Sequence, residues 1–225
     1  MGQAIGQVIS FGVGVALSPM PIIAVVLMLS TPKGRVNGPA FVAGWVVGLA
    51  VVGTIVLVVS SGASASSHGS PATWVSILKI VLGVLLLILA VKQWRGRPRG
   101  EDEPELPGWM RAVDTFTPIK STGMGVLLSA LNPKNLLLTV GAAAAIAQTG
   151  SSTLDQAVAL AVFIVLGTVG VGVPLGIYYA MGEKAAKILG ELHDWLAREN
   201  ATIMTVLCLI IGAKLIGDAI TALAS

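Results

Sequence analysis

This chain is built from apolar runs as long as a bilayer is thick. Several reach the ~20 residues that a helix needs to cross ~30 Å of hydrocarbon. Only 11% of the 225 residues are charged, against roughly 25% in a soluble domain, and the mean hydropathy is +0.87. Lipid offers no partner to a free amide or carbonyl, which leaves helices and closed barrels as spanning structures. The short alternating segments of a barrel strand are missing, so the expected fold class is an all-α integral membrane protein. The opening Met-Gly-Gln-Ala-Ile-Gly-Gln has no positive charge ahead of an apolar run too long for a cleavable signal, so residues 1–29 are expected to persist as the first span.

Periodicity says little in segments that are apolar all round, so length, turn residues and charge divide the chain. They predict six transmembrane helices, about 5–29, 39–61, 73–94, 121–147, 154–180 and 200–222, with Trp74 and Trp94 bracketing the third at the two interfaces. Of the fourteen Lys and Arg, Lys33 and Arg35 follow span one. Lys92, Arg95, Arg97, Arg99, Arg111 and Lys120 follow span three, and Lys184, Lys187 and Arg198 follow span five. The N-terminus, the other two loops and the C-terminal tail hold none. The positive-inside rule then makes those three loops cytoplasmic and puts both termini outside a plasma membrane. It also accounts for the pI near 9.2 without nucleic acid as a partner.

Residues 95–120 form the predicted cytoplasmic linker between a first three-helix unit, 1–94, and a second, 121–225. Its "RGRPRGEDEPEL" is too polar to fold alone. Beyond it, Trp109, Met110, Val113 and Phe116 are spaced for one face of a short helix lying on the membrane. Ile188, Leu189, Leu192, Trp195 and Leu196 repeat the pattern in the last loop, with Glu183/Lys187 and Asp194/Arg198 as i,i+4 pairs. The one cysteine, Cys208, lies in an apolar run and reads as a small buried hydrophobe.

Two segments resemble one another. Gly12-Val-Gly-Val-Ala-Leu-Ser18 and Gly123-Met-Gly-Val-Leu-Leu-Ser129 agree at five of seven positions, 111 residues apart. An odd number of spans separates them, so the second copy enters from the opposite side. The expectation is two inverted three-helix repeats with a pseudo-two-fold axis in the membrane plane and a site at the midplane. Prolines interrupt both copies. Pro19 and Pro21 lie about 14 to 16 residues into span one, roughly 21 to 24 Å at 1.5 Å per residue, and Pro133 reaches a similar depth in span four. Helices 1 and 4 are thus predicted to be proline-broken, with carbonyls freed where lipid cannot satisfy them.

Beside the second break stands Asn132-Pro-Lys134-Asn135. A lysine so deep costs several kcal/mol and needs a function or a partner. It could meet an anionic head group or carboxylate, or donate to the freed carbonyls of span one. Lys79, Lys214 and Asp218 lie in the outer portions of spans three and six, either as a snorkelling lysine and an intrahelical pair or as a polar outer vestibule. Gly44-x-x-x-Gly48 and Gly172-x-x-x-Gly176 would permit close helix contact in spans two and five, and Pro174 would kink the latter.

The "LSPMP" and "LNPKN" elements look like the paired signatures of the LysE-type transporter superfamily. Within it, "PGWMRAVDTFTP" followed by "GMGVLLSALNPKNLLL" is similar to the actinobacterial GAP family of glycolipid- or sulfolipid-addressing, Sap-like proteins. The resemblance implies a bacterial inner-membrane protein, a homodimer, that helps cell-envelope lipid export machinery move a lipid or glycolipid toward the surface. By the same likeness Ser18, Pro19, Pro21, Asn132, Pro133, Lys134 and Asn135 match the positions lining the central site. The superfamily also implies export of amino acids or metal ions. Metal export is disfavoured by the absence of a His-rich segment, the two histidines being His68 and His193.

Three functions stand at this point: a transporter of an anionic lipid or glycolipid, a proton-driven amino-acid exporter, and a non-transporting scaffold for a lipid-export complex. Proton coupling usually uses an intramembrane carboxylate, and Asp155, Glu183 and Asp218 all lie near span ends, which counts against the second. The scaffold leaves the deep lysine unexplained. An enzyme is not expected: no metal-ligand cluster, no nucleophile with a histidine base and no phosphate loop is visible, and no cofactor or bound metal is called for.

Overall fold

The computed structural model describes residues 2–62, 66–67, 70–71, 73–97 and 108–224. The helices are α1 (Gly2–Ala16), α2 (Pro19–Leu29), α3 (Gly34–Gly62), α4 (Thr73–Arg95), α5 (Pro118–Ala130), α6 (Pro133–Gln148), α7 (Thr153–Met181) and α8 (Ala185–Ala224). A 3₁₀ helix, Gly108–Thr115, precedes α5, and a second, Gly182–Lys184, joins α7 to α8. Ser66–Ser67 and Ser70–Pro71 form a small antiparallel ladder between α3 and α4. Much of the expected linker, including the acidic block, and His68 lie outside the described residues.

Helices α3, α4, α7 and α8 are each long and apolar enough to cross a membrane. Two further pairs, α1/α2 and α5/α6, qualify together but bend by 53° and 63°, so the chain has four to six spans. Outward faces are apolar, as lipid requires: Val47, Val51, Ile55 and Val58 along α3 are each at least half exposed. The bundle is therefore that of a multi-pass membrane protein.

Lipid tails are as apolar as leucine, so these helices associate through close packing rather than through expulsion of water. The contacts pair off between the halves. The first half-helix of each bent pair runs along the long second helix of the other half, α1 on α7 and α5 on α3, while α4 and α8 pack on one another. Glycines set each crossing. A Cβ on Gly44 or Gly125 would run into the facing backbone of α5 or α3, and one on Gly170 into the last carbonyl of α1 at Ala16. Where α4 meets α8 the contact is reciprocal: a Cβ on Gly83 would stand 2.8 Å from the Gly212 carbonyl oxygen, and one on Gly212 2.9 Å from that of Gly83. The expected role of Gly44 and Gly48 holds. That of Gly172 and Gly176 does not, because neither has a neighbour within 4 Å; Gly167 and Gly170 serve α7 instead.

Two membrane-surface helices were expected and neither is found as such. In the first, Met110, Val113 and Phe116 are buried, and the 3₁₀ helix packs against α2, held by the Asn37 amide donating to the Phe116 carbonyl at 3.0 Å. Their spacing of three is the 3₁₀ period, which stacks them on one edge directed into the protein. In the second, the segment is the beginning of α8, continuous through 40 residues with the last span. Leu189 and Leu196 face the bundle while Ile188 and Trp195 are exposed. The Asp194/Arg198 side-chain pair does not form: Arg198 Nε donates to the Asp194 backbone carbonyl, and the carboxylate lies 3.0 Å from His193 Nδ1.

Candidate functional site

Each break is a new helix beginning in the middle of the bundle. Pro19 and Pro133 are the first residues of α2 and α6, a position where proline's fixed φ suits the helix and its missing amide is not needed. The prolines thus start helices rather than distort them. The carbonyls at the ends of α1 and α5 need donors, and polar side chains from both breaks supply them. Lys134 Nζ donates to the Gly14 carbonyl at 2.7 Å, and Asn135 Nδ2 to the Leu128 carbonyl at 3.0 Å. The single Ser18 hydroxyl proton has two acceptors in reach, Val15 O at 2.7 Å and Asn135 Oδ1 at 2.8 Å, so it serves one at a time. Asn132 caps α6, its Oδ1 accepting from the Lys134 and Asn135 amides.

The geometry sets the electrostatics. Lys134 sits at the second position of α6, where the helix N-terminus is itself positive. Its side chain leaves that end and reaches the carbonyl, negative end of α1. It is 1% exposed, and among the described residues no carboxylate is paired with it. Of the two roles left open for this lysine, the one realised here is donation to span one. The two bent pairs are therefore joined by the buried Lys134–Gly14 bond and by the Ser18–Asn135 contact.

Of the expected residues, Ser18, Lys134 and Asn135 converge, with Pro19 and Pro21 buried alongside and Asn132 half-buried as the cap. Pro133 is exposed and does not line the contact. The outer trio stays within electrostatic reach, the charges of Asp218 and Lys214 both acting on Lys79. Lys214 and Asp218 form the intrahelical pair at 2.6 Å, both somewhat over a third exposed. Lys79 does not snorkel: it is 4% exposed and donates to Gln148 Oε1.

The sequence reading missed four participants. The Gly14 and Leu128 carbonyls have no side-chain signature. Gln148, at the end of α6, had no charge or motif to mark it. Trp45, fully buried and donating from Nε1 to the Gly167 carbonyl at 3.2 Å, ties α3 to α7 across the middle of the bundle; a tryptophan far from either interface was the available signal.

Fold and site together define a multi-pass helical membrane protein whose two broken helix pairs meet through buried polar groups. The sequence pattern of the family described as Sap, sulfolipid-1-addressing protein, matches residues 8–221, and the chain belongs to that family. No curated protein and no solved structure matches it. The family and the apolar helices point to a membrane protein involved in lipid export.

Proposed function

We propose that this protein is a transporter, not an enzyme, that carries an anionic lipid or glycolipid across the bacterial inner membrane. The observation that carries the reading is Lys134, a lysine buried between the two bent pairs and held by a neutral carbonyl rather than a carboxylate. A structural cation in lipid would be expected to have a counter-ion. One that lacks it can exchange the Gly14 carbonyl for an arriving sulfate, phosphate or carboxylate, which the N-termini of α2 and α6 also favour.

In this reading each bent pair is one span, giving six, with both termini outside. The chain forms two inverted repeats, supported by the way helix contacts exchange between halves and by the reciprocal Gly83/Gly212 crossing. The structure is a closed state in which the midplane bonds seal the path. Transport requires the halves to part there, and the freed Lys134, Ser18 and Asn135 then take the head group.

The test uses full-length protein in liposomes carrying fluorescently labelled phosphatidylglycerol in both leaflets, with external dithionite to bleach whatever reaches the outer one. Protein-dependent bleaching of the inner-leaflet label is expected, faster than for labelled phosphatidylcholine. Bleaching no greater than in protein-free vesicles, from correctly folded protein, would contradict the proposal.

A further inference from the structure

Away from the midplane, a cleft of about 570 Å³ opens where the end of α2 and the start of α3 face the elbow between α7 and α8. Leu29 and Leu189, both buried, form an apolar floor; Ser30, Arg35, Tyr178 and Tyr179 form a polar rim. The walls are tied together, since the Tyr179 hydroxyl donates to the Arg35 backbone carbonyl at 2.8 Å. The elbow depends on Gly182, whose φ of +53° suits glycine, so α8 can turn back over the cleft. The two tyrosine rings meet edge to face, 5.5 Å apart, at the end of α7.

The chemistry of this cleft is that of an amphiphile. Arg35 is exposed, and among the described residues no carboxylate pairs with its guanidinium. Its planar fork matches the oxygens of a sulfate or phosphate. Lys33 and Lys184 stand exposed in the adjoining segments and add positive charge, while Lys187 is paired with Glu191 at 3.9 Å. Outside the rim, Val36, Met181 and Ile188 present apolar surface that a soluble anion would not use and acyl chains would. Tyrosines belong at the level of lipid head groups, and the volume falls in the usual ~300–1,000 Å³ range of a small-molecule site.

We infer that this cleft is the site at which the protein receives its lipid from the leaflet on its basic face: Arg35 holds the anionic head group and the chains lie over Val36, Met181 and Ile188. The inference rests on the lipid-transport reading and adds the place where cargo is recognised before it reaches the midplane. That face is the cytoplasmic one under the positive-inside rule.

The test is lipid retention, which is independent of transport. Full-length protein is exchanged into detergent with equal phosphatidylglycerol and phosphatidylcholine, and bound lipid is counted by native mass spectrometry. The proteins compared are wild type, Arg35→Gln and Ala186→Trp, each checked for an unchanged melting temperature. Wild type should prefer phosphatidylglycerol. Arg35→Gln should lose that preference about fivefold, the effect of one charge-assisted contact at a partly wet site, and Ala186→Trp should retain less of either lipid. An unchanged preference in Arg35→Gln would overturn the head-group assignment, and unchanged retention in Ala186→Trp would overturn the location. Glycerol phosphate that competes as well as the lipid does would overturn the lipid as ligand. Wild type that retains phosphatidylglycerol at the cleft but bleaches no inner-leaflet label would contradict transport alone.

Discussion

The two breaks are built alike and wired differently. The second satisfies its own backbone: Asn132 caps α6 by accepting from two of its amides, and Asn135 satisfies the Leu128 carbonyl at the end of α5. The first does not. Ser18 makes no cap bond to α2, and the Gly14 carbonyl depends on a lysine from the other half of the chain. Donors thus cross both ways, but only the first break needs one for its backbone: Lys134 Nζ serves the Gly14 carbonyl, while on the second break the Ser18 hydroxyl reaches only the Asn135 side chain. This asymmetry teaches that the contact is a joint between the two bent pairs, one of which satisfies its own backbone while the other relies on its neighbour.

The largest expected effects concern the crossings that bring the breaks together. Gly170→Ala would drive a methyl into the Ala16 carbonyl where α1 ends, and backbone cannot yield as a side-chain tip can. A loss of about 3 kcal/mol or more is expected. Gly172→Ala, with nothing within 4 Å, should stay within about 0.5 kcal/mol. Thermal unfolding of the two variants in detergent checks this, and equal shifts would break the assignment of Gly170 to the α1 crossing.

Smaller effects separate the breaks themselves. Ser18→Ala leaves Asn135 Oδ1 buried without its donor and should cost about 2 kcal/mol. Asn132→Ala removes a half-buried cap and should cost about 1 kcal/mol. In an Asn135→Ala background the Ser18 effect should shrink by about 1 kcal/mol, whereas the Gly170 effect should not change. A Ser18 penalty that ignores residue 135 would mean the two breaks are not coupled through this pair.

The spans were legible because lipid imposes length and polarity on every crossing segment, and the expected ends fall within five residues of those observed for α3, α4 and α7. The breaks were legible because proline at mid-depth has few explanations. The partners of Lys134 were only half legible: the lysine announces itself, but its acceptor is a glycine carbonyl 120 positions away. Which glycines pack could not be read from α7, since a helix apolar all round does not show which face meets protein. The 3₁₀ segment misled for a related reason. Met110, Val113 and Phe116 satisfy a helix face and a 3₁₀ edge equally well, and only the second turns them inward.

The most direct test of the central claim is to replace Lys134 with methionine, similar in volume and apolar, and to measure lipid movement and melting temperature on the same preparation. The change leaves the Gly14 carbonyl buried without its donor, a cost of about 1–3 kcal/mol, offset in part because a charge is no longer buried, so the protein should fold within about 2 kcal/mol of wild type and should no longer move labelled phosphatidylglycerol. A folded Lys134→Met protein that moves it at the wild-type rate would show that the ammonium at the joint plays no part in transport.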